Sequence, residues 1–374
     1  MIIGWLCKGY THLNVKSVDG MLNIRVPLLN MLLKKHNIIW LGHQRPKRLL
    51  NDNMFYKPIV KEYLDAYKRF EKSYIGEKKV ATFFTSFRPQ EFPELDILLV
   101  EISRIHVYAP LFASVIDYYN NYTKTKIILW DTDRWLNDFA HWLRPFPNSD
   151  LTDFKIFAPY KGNKEYAPYL GPEWYNMAPF PYDRTKELEI TTKPYDLCYI
   201  GNDYRRRPKM EKYYNFPFAD VYGKYDDDEW KATMKCNFRG RTKPDEVREI
   251  YNQYSFCVQI VKKDYEKFGL MTPRINEVLE AGTLILVDGD IITASLFVDE
   301  EYIVHDTEDV LKWKERLDKM TSEEYKKRVM SQRKKVASFC SYDSLLSIFS
   351  LDQGHELVKG NIKLGQQKSM TDFF

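Results

Sequence analysis

The feature that most constrains this chain is its repeated alternation of short apolar runs with longer stretches of helical spacing. Ile2–Cys7 reads as a buried strand, and Asn37–Leu41 as a second. Between them, Met21–Lys35 places Ile24, Leu28, Leu29, Leu32 and Leu33 at helical intervals. Leu95–Val100, Lys126–Trp130 and Lys155–Ala158 read as further strands, with a helix over Pro110–Tyr119. Strands that are apolar throughout suit a parallel sheet covered on both faces. Strands separated by helices predict βαβ units.

A second series follows a connector. Residues 159–194 are dense in Pro, Gly and Tyr and show no periodicity. Strands are then expected at Asp196–Ile200, Phe218–Tyr222, Phe256–Val261, Thr283–Val287 and Tyr302–Val304. Helices are expected at Asp245–Gln253, Pro273–Ala281, 308–318 and 322–339. The expectation is an α/β chain with two Rossmann-like domains facing a cleft. We set the boundaries at 1–175, a linker at 176–194, a second domain at 195–350 and a tail at 351–374. In open α/β sheets, ligands collect beyond the carboxyl ends of the strands.

Composition removes several function classes. Apolar residues at 44% and charged residues at 29% are too balanced for a disordered chain. Lys and Arg number 56 against 52 Asp and Glu, so the net charge of +4 excludes a strongly basic nucleic-acid coat protein. A local basic cleft stays open. Cysteines stand at 7, 198, 236, 257 and 340, with no two spaced as a zinc ribbon or redox pair. That sparse set, and a start that reads as a strand and not a leader, point to a reducing compartment. Apolar runs such as Ile97–Val100 are too short to span a bilayer, so no membrane partner is expected.

Two stretches of the second half carry candidate chemistry. In Thr272–Asp288, Thr272 suits an N-cap, Pro273 the first helical position and Gly282 the stop. Arg274 and Glu277 then share one face. An arginine there can fork onto a diphosphate, and a glutamate one turn on can accept from ribose hydroxyls. The plainer alternative is a surface ion pair. In Asp196–Met210, a strand runs into Gly201 and Asn202, then Arg205, Arg206 and Arg207. Backbone at a glycine can approach a phosphate, and arginines can cover its charge. A solvated basic loop is the alternative. The absence of G-x-G-x-x-G argues against a nicotinamide site.

In the first half, Leu129–Trp135 sets Asp131 and Asp133 at the end of a strand. Either is a candidate general base; a helix N-cap is the structural alternative. An apolar strand followed by Asp-x-Asp is also the metal–diphosphate motif of GT-A glycosyltransferases, in which case Asp131 and Asp133 would hold Mg²⁺ or Mn²⁺. Arg134 and Trp135 open an aromatic and basic run that could touch DNA phosphate and stack on a base, although Trp135, Phe139 and Trp142 also fit a core stripe. His12 follows the first strand, in a loop that lines the acceptor side in the GT-B glycosyltransferases these stretches resemble; a plain βα turn is the alternative.

Taken in order, these stretches resemble the second domain of GT-B glycosyltransferases, and among them the bacteriophage DNA β-glucosyltransferases. The matching elements are Tyr199–Arg207, Val221–Gly223, Phe238–Thr242, Arg274–Glu277 and Leu284–Asp288, over about residues 195–318. The resemblance implies a UDP-sugar donor held by Gly201, Asn202, Arg205, Arg207, Arg274 and Glu277. It implies an Asp base at a strand end, Asp133 or Asp131. It also implies a hydroxylated pyrimidine in double-stranded DNA as acceptor, a monomer, and a place in the cytoplasm of an infected host cell.

The tail adds a separate expectation. Gln367, Met370, Phe373 and Phe374 resemble the sliding-clamp-binding motif, Gln-x-x-aliphatic-x-x-aromatic-aromatic. One helical turn would present Met370, Phe373 and Phe374 as adjacent anchors for an apolar pocket. A clamp encircling DNA favours a DNA acceptor. Two other classes stay open: a glycosyltransferase for lipid, glycan or protein acceptors, and an inactive clamp-associated DNA-binding module.

Overall fold

The computed structural model describes residues 1–7, 32, 36–42, 81–84, 92–102, 109–131, 155–158, 175–176, 190, 193–243 and 246–340. Two parallel sheets account for them. The first holds β1 (Ile2–Cys7), β2 (Asn37–Gly42), β3 (Ala81–Phe84), β4 (Ile97–Ile102), β5 (Lys126–Asp131), β6 (Lys155–Ala158) and β7 (Tyr175–Asn176), with α1 (Ala109–Tyr122) before β5. Its order is β3-β2-β1-β4-β5-β6-β7. Every described pairing in it is parallel.

The second sheet holds β8 (Tyr195–Ile200), β9 (Ala219–Tyr222), β10 (Asn237–Gly240), β11 (Tyr254–Gln259), β12 (Leu284–Asp288) and β13 (Ile303–Val304). Its order, β10-β9-β8-β11-β12-β13, has the same winding. The intervening helices are α2 (Arg207–Tyr213), α3 (Asp228–Thr233), α4 (Val247–Asn252), α5 (Lys263–Phe268), α6 (Arg274–Glu280), α7 (Ala294–Phe297), α8 (Thr307–Asp318) and α9 (Ser322–Cys340). Two sheets of this winding are two Rossmann-like units.

The core follows from the sequence pattern. β4 and β12 are buried at every position, as strands covered on both faces must be. One apolar cluster fills the second unit, and all its buried members lie between Leu197 and Ala337. α6 is nearly all interior: Arg274, Ile275, Asn276, Val278 and Leu279 are buried.

Several elements differ from the sequence expectation. β3, β10, α2, α3, α5 and α7 were not anticipated; all are short, and length is what makes a period visible. β7 falls at the start of the expected linker. The helix expected over Met21–Lys35 lies outside the described residues except Leu32, which is helical. α6 is capped by Pro273 and not by Thr272. The Thr272 hydroxyl instead accepts from the buried Gln259 Nε2 at 2.6 Å, a partner no local pattern announces. Among the described residues, no helix is long and apolar enough to cross a membrane.

Candidate functional site

The second sheet reverses its order between β8 and β11, and the crevice beyond such a switch point is where open α/β sheets take ligands. Arg274 stands there. Its Nε and Nη2 donate to the carbonyl of Ile200, the last residue of β8, at 3.2 and 3.0 Å. Its Nη1 donates to the carbonyl of Ile260, just past β11, at 3.2 Å. The guanidinium lies 4.3 Å over the Tyr199 ring. Arg274 is 8% exposed, and no described carboxylate pairs with it. The surface ion pair with Glu277 is therefore not formed. Glu277 lies in the first turn of α6, partly buried.

Glycines build the rim beside Arg274. Gly201 donates its N–H to Tyr222 at 2.8 Å, and Gly223 donates to Gly240 at 2.7 Å, which carries the ladder past β8 and β9. A Cβ on Gly223 would fall 1.9 Å from the Gly201 oxygen, and one on Gly201 would fall 2.7 Å from Arg274 Nη2. Gly223 admits no side chain, and one at Gly201 would displace the Arg274 guanidinium and the Tyr199 hydroxyl. The bare edge at Gly201 is what lets the Arg274 guanidinium sit against the end of β8.

The loop from Gly201 into α2 is organised by Asn202. Its Oδ1 accepts from the Tyr204 N–H at 3.2 Å and from Arg206 Nη1 at 2.9 Å. Arg205 adopts φ 55°, a left-handed conformation that costs a side-chain-bearing residue energy. Its guanidinium is 57% exposed and meets Asp264 at 3.1 Å. Arg207 pairs with Asp203 at 2.7 Å and Asp227 at 2.5 Å, and lies 4.9 Å over Trp230. Asp227 also caps α3 by accepting from the Trp230 N–H at 2.9 Å. Arg207 thus joins this loop to α3. The solvated-loop alternative describes Arg205; it does not describe Arg206, which is 9% exposed. Sequence reasoning named the two outer arginines and passed over the middle one. Three identical neighbours carry no signal of which will turn inward.

Acidic groups at this edge are held by cations. Lys209 of α2 lies 3.2 Å from Glu266 and 2.5 Å from Asp288, and also contacts Asp290. Glu266, Asp288 and Asp290 are the described acids close enough together for a metal ion, but the Lys209 ammonium stands among them. Burial pushes the Glu266 carboxyl up, and the hydrogen bond from Lys209 holds Asp290 down. Asp203, Asp227 and Asp264 are each held by an arginine. The donor set at the strand ends, guanidinium and backbone, suits phosphate oxygens, and Glu266, Asp288 and Asp290 are the described carboxylates grouped closely enough to hold a divalent cation.

In the first sheet, Asp131 ends β5 and is fully buried. A second buried acid was missed by sequence reasoning. Glu101 of β4 is 0% exposed and accepts from the Trp5 indole N–H at 3.3 Å. Its signal was an acid inside the apolar run Ile97–Ile102. Glu101 and Asp131 stand one step apart in the β4–β5 register, so strand alternation directs them to opposite faces. His12, Asp133, Arg134, Trp135, Gln367, Met370, Phe373 and Phe374 lie outside the described residues.

Two parallel sheets of this order match the GT-B fold, the two-domain architecture of nucleotide-sugar glycosyltransferases. Residues 206–345 match the model of a glycosyl transferase-like family. Among solved structures, the chain is similar to the T4 phage enzyme BGT in complex with its UDP-glucose substrate. That likeness has 14% identity and a TM-score of 0.58, covering 94% of this chain and 100% of that one. The same T4 phage enzyme with UDP and Mn²⁺ gives 16% identity and 0.58 over the same shares. An alpha-glucosyltransferase in complex with UDP and a 13-mer DNA containing a HMU base gives 13% identity and 0.56, covering 93% and 99%. No curated protein matches the chain.

Proposed function

We propose that this protein is a DNA glycosyltransferase that moves a sugar from a UDP-sugar to a hydroxylated pyrimidine in duplex DNA. The observation that carries the reading is Arg274: a buried guanidinium without a carboxylate, fixed at the switch point where the donor of a GT-B fold would sit. The likeness to phage glucosyltransferases along nearly the whole chain supports a DNA acceptor.

In this reading the acceptor base leaves the duplex, because its hydroxyl is otherwise confined to the groove. A carboxylate at the end of β5, Asp131 or the nearby Asp133, takes the hydroxyl proton. The freed oxygen attacks the anomeric carbon of the sugar. The bond from that carbon to the diphosphate breaks, and its electron pair leaves with UDP. Arg274 meets the charge that develops there. Gly201 and Asn202 shape the backbone beside it, Glu277 accepts from the ribose, and Arg207 holds the loop in place. His12, Arg134 and Trp135 contact the acceptor. The tail residues Gln367, Met370, Phe373 and Phe374 dock on a sliding clamp, which raises the effective concentration of enzyme on DNA.

The test is nucleoside mass spectrometry. Duplex DNA carrying 5-hydroxymethyl or 5-hydroxy pyrimidines is incubated with the protein and a panel of UDP-sugars, then digested. The expected result is a nucleoside heavier by one hexose or pentose residue. Donor hydrolysis without such a nucleoside would move the acceptor to a lipid, glycan or protein. Neither product, and no UDP binding in calorimetry, would leave a DNA-binding module with an inactive transferase fold.

A further inference from the structure

Two chain segments leave the switch point from the strand ends that anchor Arg274. One follows Ile200 of β8, and the other follows Ile260, just past β11. Tyr204 stands on the first segment and Lys262 on the second. The two side chains meet. The Lys262 ammonium lies 5.5 Å from the centre of the Tyr204 ring and 4.8 Å from that of Tyr265. It also donates to the Tyr265 hydroxyl at 3.4 Å. The Arg205 guanidinium lies 5.3 Å from the same Tyr204 ring. Tyr204 is nonetheless 58% exposed. An aromatic face is therefore held in water beside two cations, where such contacts are weak and the ring forgoes its burial.

The segment that carries this ring is fixed in place. The Tyr204 N–H donates to Asn202 Oδ1 at 3.2 Å, and the Arg205–Asp264 pair at 3.1 Å ties it to α5. The surroundings are basic. Arg205, Lys262, Lys263 and Lys267 stand against Asp264 and Glu266, and Glu266 is already held by Lys209. Lys263 and Lys267 are exposed. An open ring among cations complements a nucleic-acid strand, whose bases stack on aromatic faces and whose phosphates attract cations. A small donor's nucleobase would be enclosed instead, since pockets of that kind bury most of their ligand. Extruding a base from a duplex leaves its neighbours with an uncovered face, which a ring at this rim fits.

We propose that Tyr204 and Lys262, with Lys263 beside them, form a contact of the second unit with the DNA acceptor: the Tyr204 ring stacks on a base flanking the extruded one, and the two lysines meet phosphates of that strand. This rests on the acceptor reading above and adds a DNA contact to the unit otherwise assigned to the donor.

The experiment uses the full chain as wild type, as Tyr204→Ala, as Tyr204→Phe, and as Lys262→Gln combined with Lys263→Gln. Fluorescence anisotropy measures binding of a duplex carrying 5-hydroxymethylcytosine over a range of salt. Calorimetry measures UDP binding, and thermal melts compare the folded proteins. Tyr204→Ala should weaken duplex binding by about tenfold or more, the scale of one lost aromatic–base stack. Tyr204→Phe keeps the ring and should bind within about threefold of wild type. The double lysine variant should lower the slope of log affinity against log salt by about one to two. UDP affinity and melting temperature should match wild type in all three, and Tyr204→Ala should raise KM for DNA with kcat unchanged. Duplex binding by Tyr204→Ala that equals wild type would overturn the proposal and leave the acceptor reading standing. So would a parallel loss of UDP affinity, which would put the ring at the donor, or a lowered melting temperature, which would make its role structural. A wild-type protein that binds UDP but no duplex would sink the acceptor reading and this contact with it.

Discussion

Arg274 commits three N–H donors to the carbonyls of Ile200 and Ile260, so its guanidinium plane is fixed before any donor arrives. Arg274→Lys keeps the charge but loses that planar fork. Its turnover should fall by about a hundredfold or more, the scale for losing a preorganised donor to developing charge, as measured by initial rates at saturating donor. A second prediction concerns Lys193, whose Nζ donates to Asn252 O at 2.7 Å and Asn252 Oδ1 at 2.9 Å. Burial without a carboxylate pushes its ammonium down to about 8. The unfolded chain then holds that proton up to its ordinary value near 10.5, while the folded chain releases it from about pH 8. Through that window the unfolded state binds more protons, so this group adds stability as pH rises. Below about pH 8 its penalty is fully present. The stability advantage of Lys193→Met over wild type should therefore shrink between pH 8 and 10.5 in urea melts; a constant gap would refute this. At this scale the sequence showed which residue types mattered but not where each would turn. Arg274 stood out because an apolar helix surrounds it. Arg206 did not, since its identity as the inward member depends on Asn202, Asp264, Asp203 and Asp227 together.

The elements show what length does to legibility. β12 was readable, because four apolar residues ending in an Asp and preceded by Gly282 leave little choice. β10 and α2 were not. The four residues Asn237–Gly240 are exposed but for the partly buried Phe238, and their strand form comes from pairing with β9. A related device supports β12 on its other side. β13 pairs only with Val287 and Asp288, so the earlier part of β12 has no strand there. Gln332 of α9 fills the gap: its Oε1 accepts from the Ile285 N–H at 3.0 Å, and its Nε2 donates to the Ile285 carbonyl at 2.7 Å. One side-chain amide stands in for a neighbouring peptide. Gln332→Leu orphans both backbone groups in a buried place. It should cost about 2–5 kcal/mol, from the penalty for two unsatisfied polar groups, measured by denaturant unfolding. A loss under about 1 kcal/mol would mean that water or a shifted helix replaces the amide. Nothing in the sequence distinguishes Gln332 from the polar residues that surround it on α9.

For the whole molecule, the doubly wound α/β architecture was legible from alternation alone, and the resemblance in the second half added the GT-B arrangement. The strand-end positions of Gly201 and Arg274 were legible too, since Gly turns and capping signals mark strand and helix ends. What escaped was set by contacts between distant segments, such as Glu101 under Trp5. The role proposed for the tail belongs to this scale, because it would concern where the enzyme is and not how it reacts. Phe373→Ala combined with Phe374→Ala should abolish clamp binding in a pull-down while leaving transfer to short duplexes unchanged. Clamp capture that survives both changes would rule out the docking motif.

Among the described residues, the apolar cluster that runs from Leu197 to Ala337 takes no buried member from the first sheet. A segment that closes its own interior can be prepared as a separate polypeptide. On the proposed reading, residues from about the linker to the end of α9 would then bind the UDP-sugar without the first sheet and without turnover. Such a fragment would let donor chemistry be titrated, labelled or screened without modified DNA in the tube, and supplying the other half in trans would show how much of the reaction depends on the two being one chain.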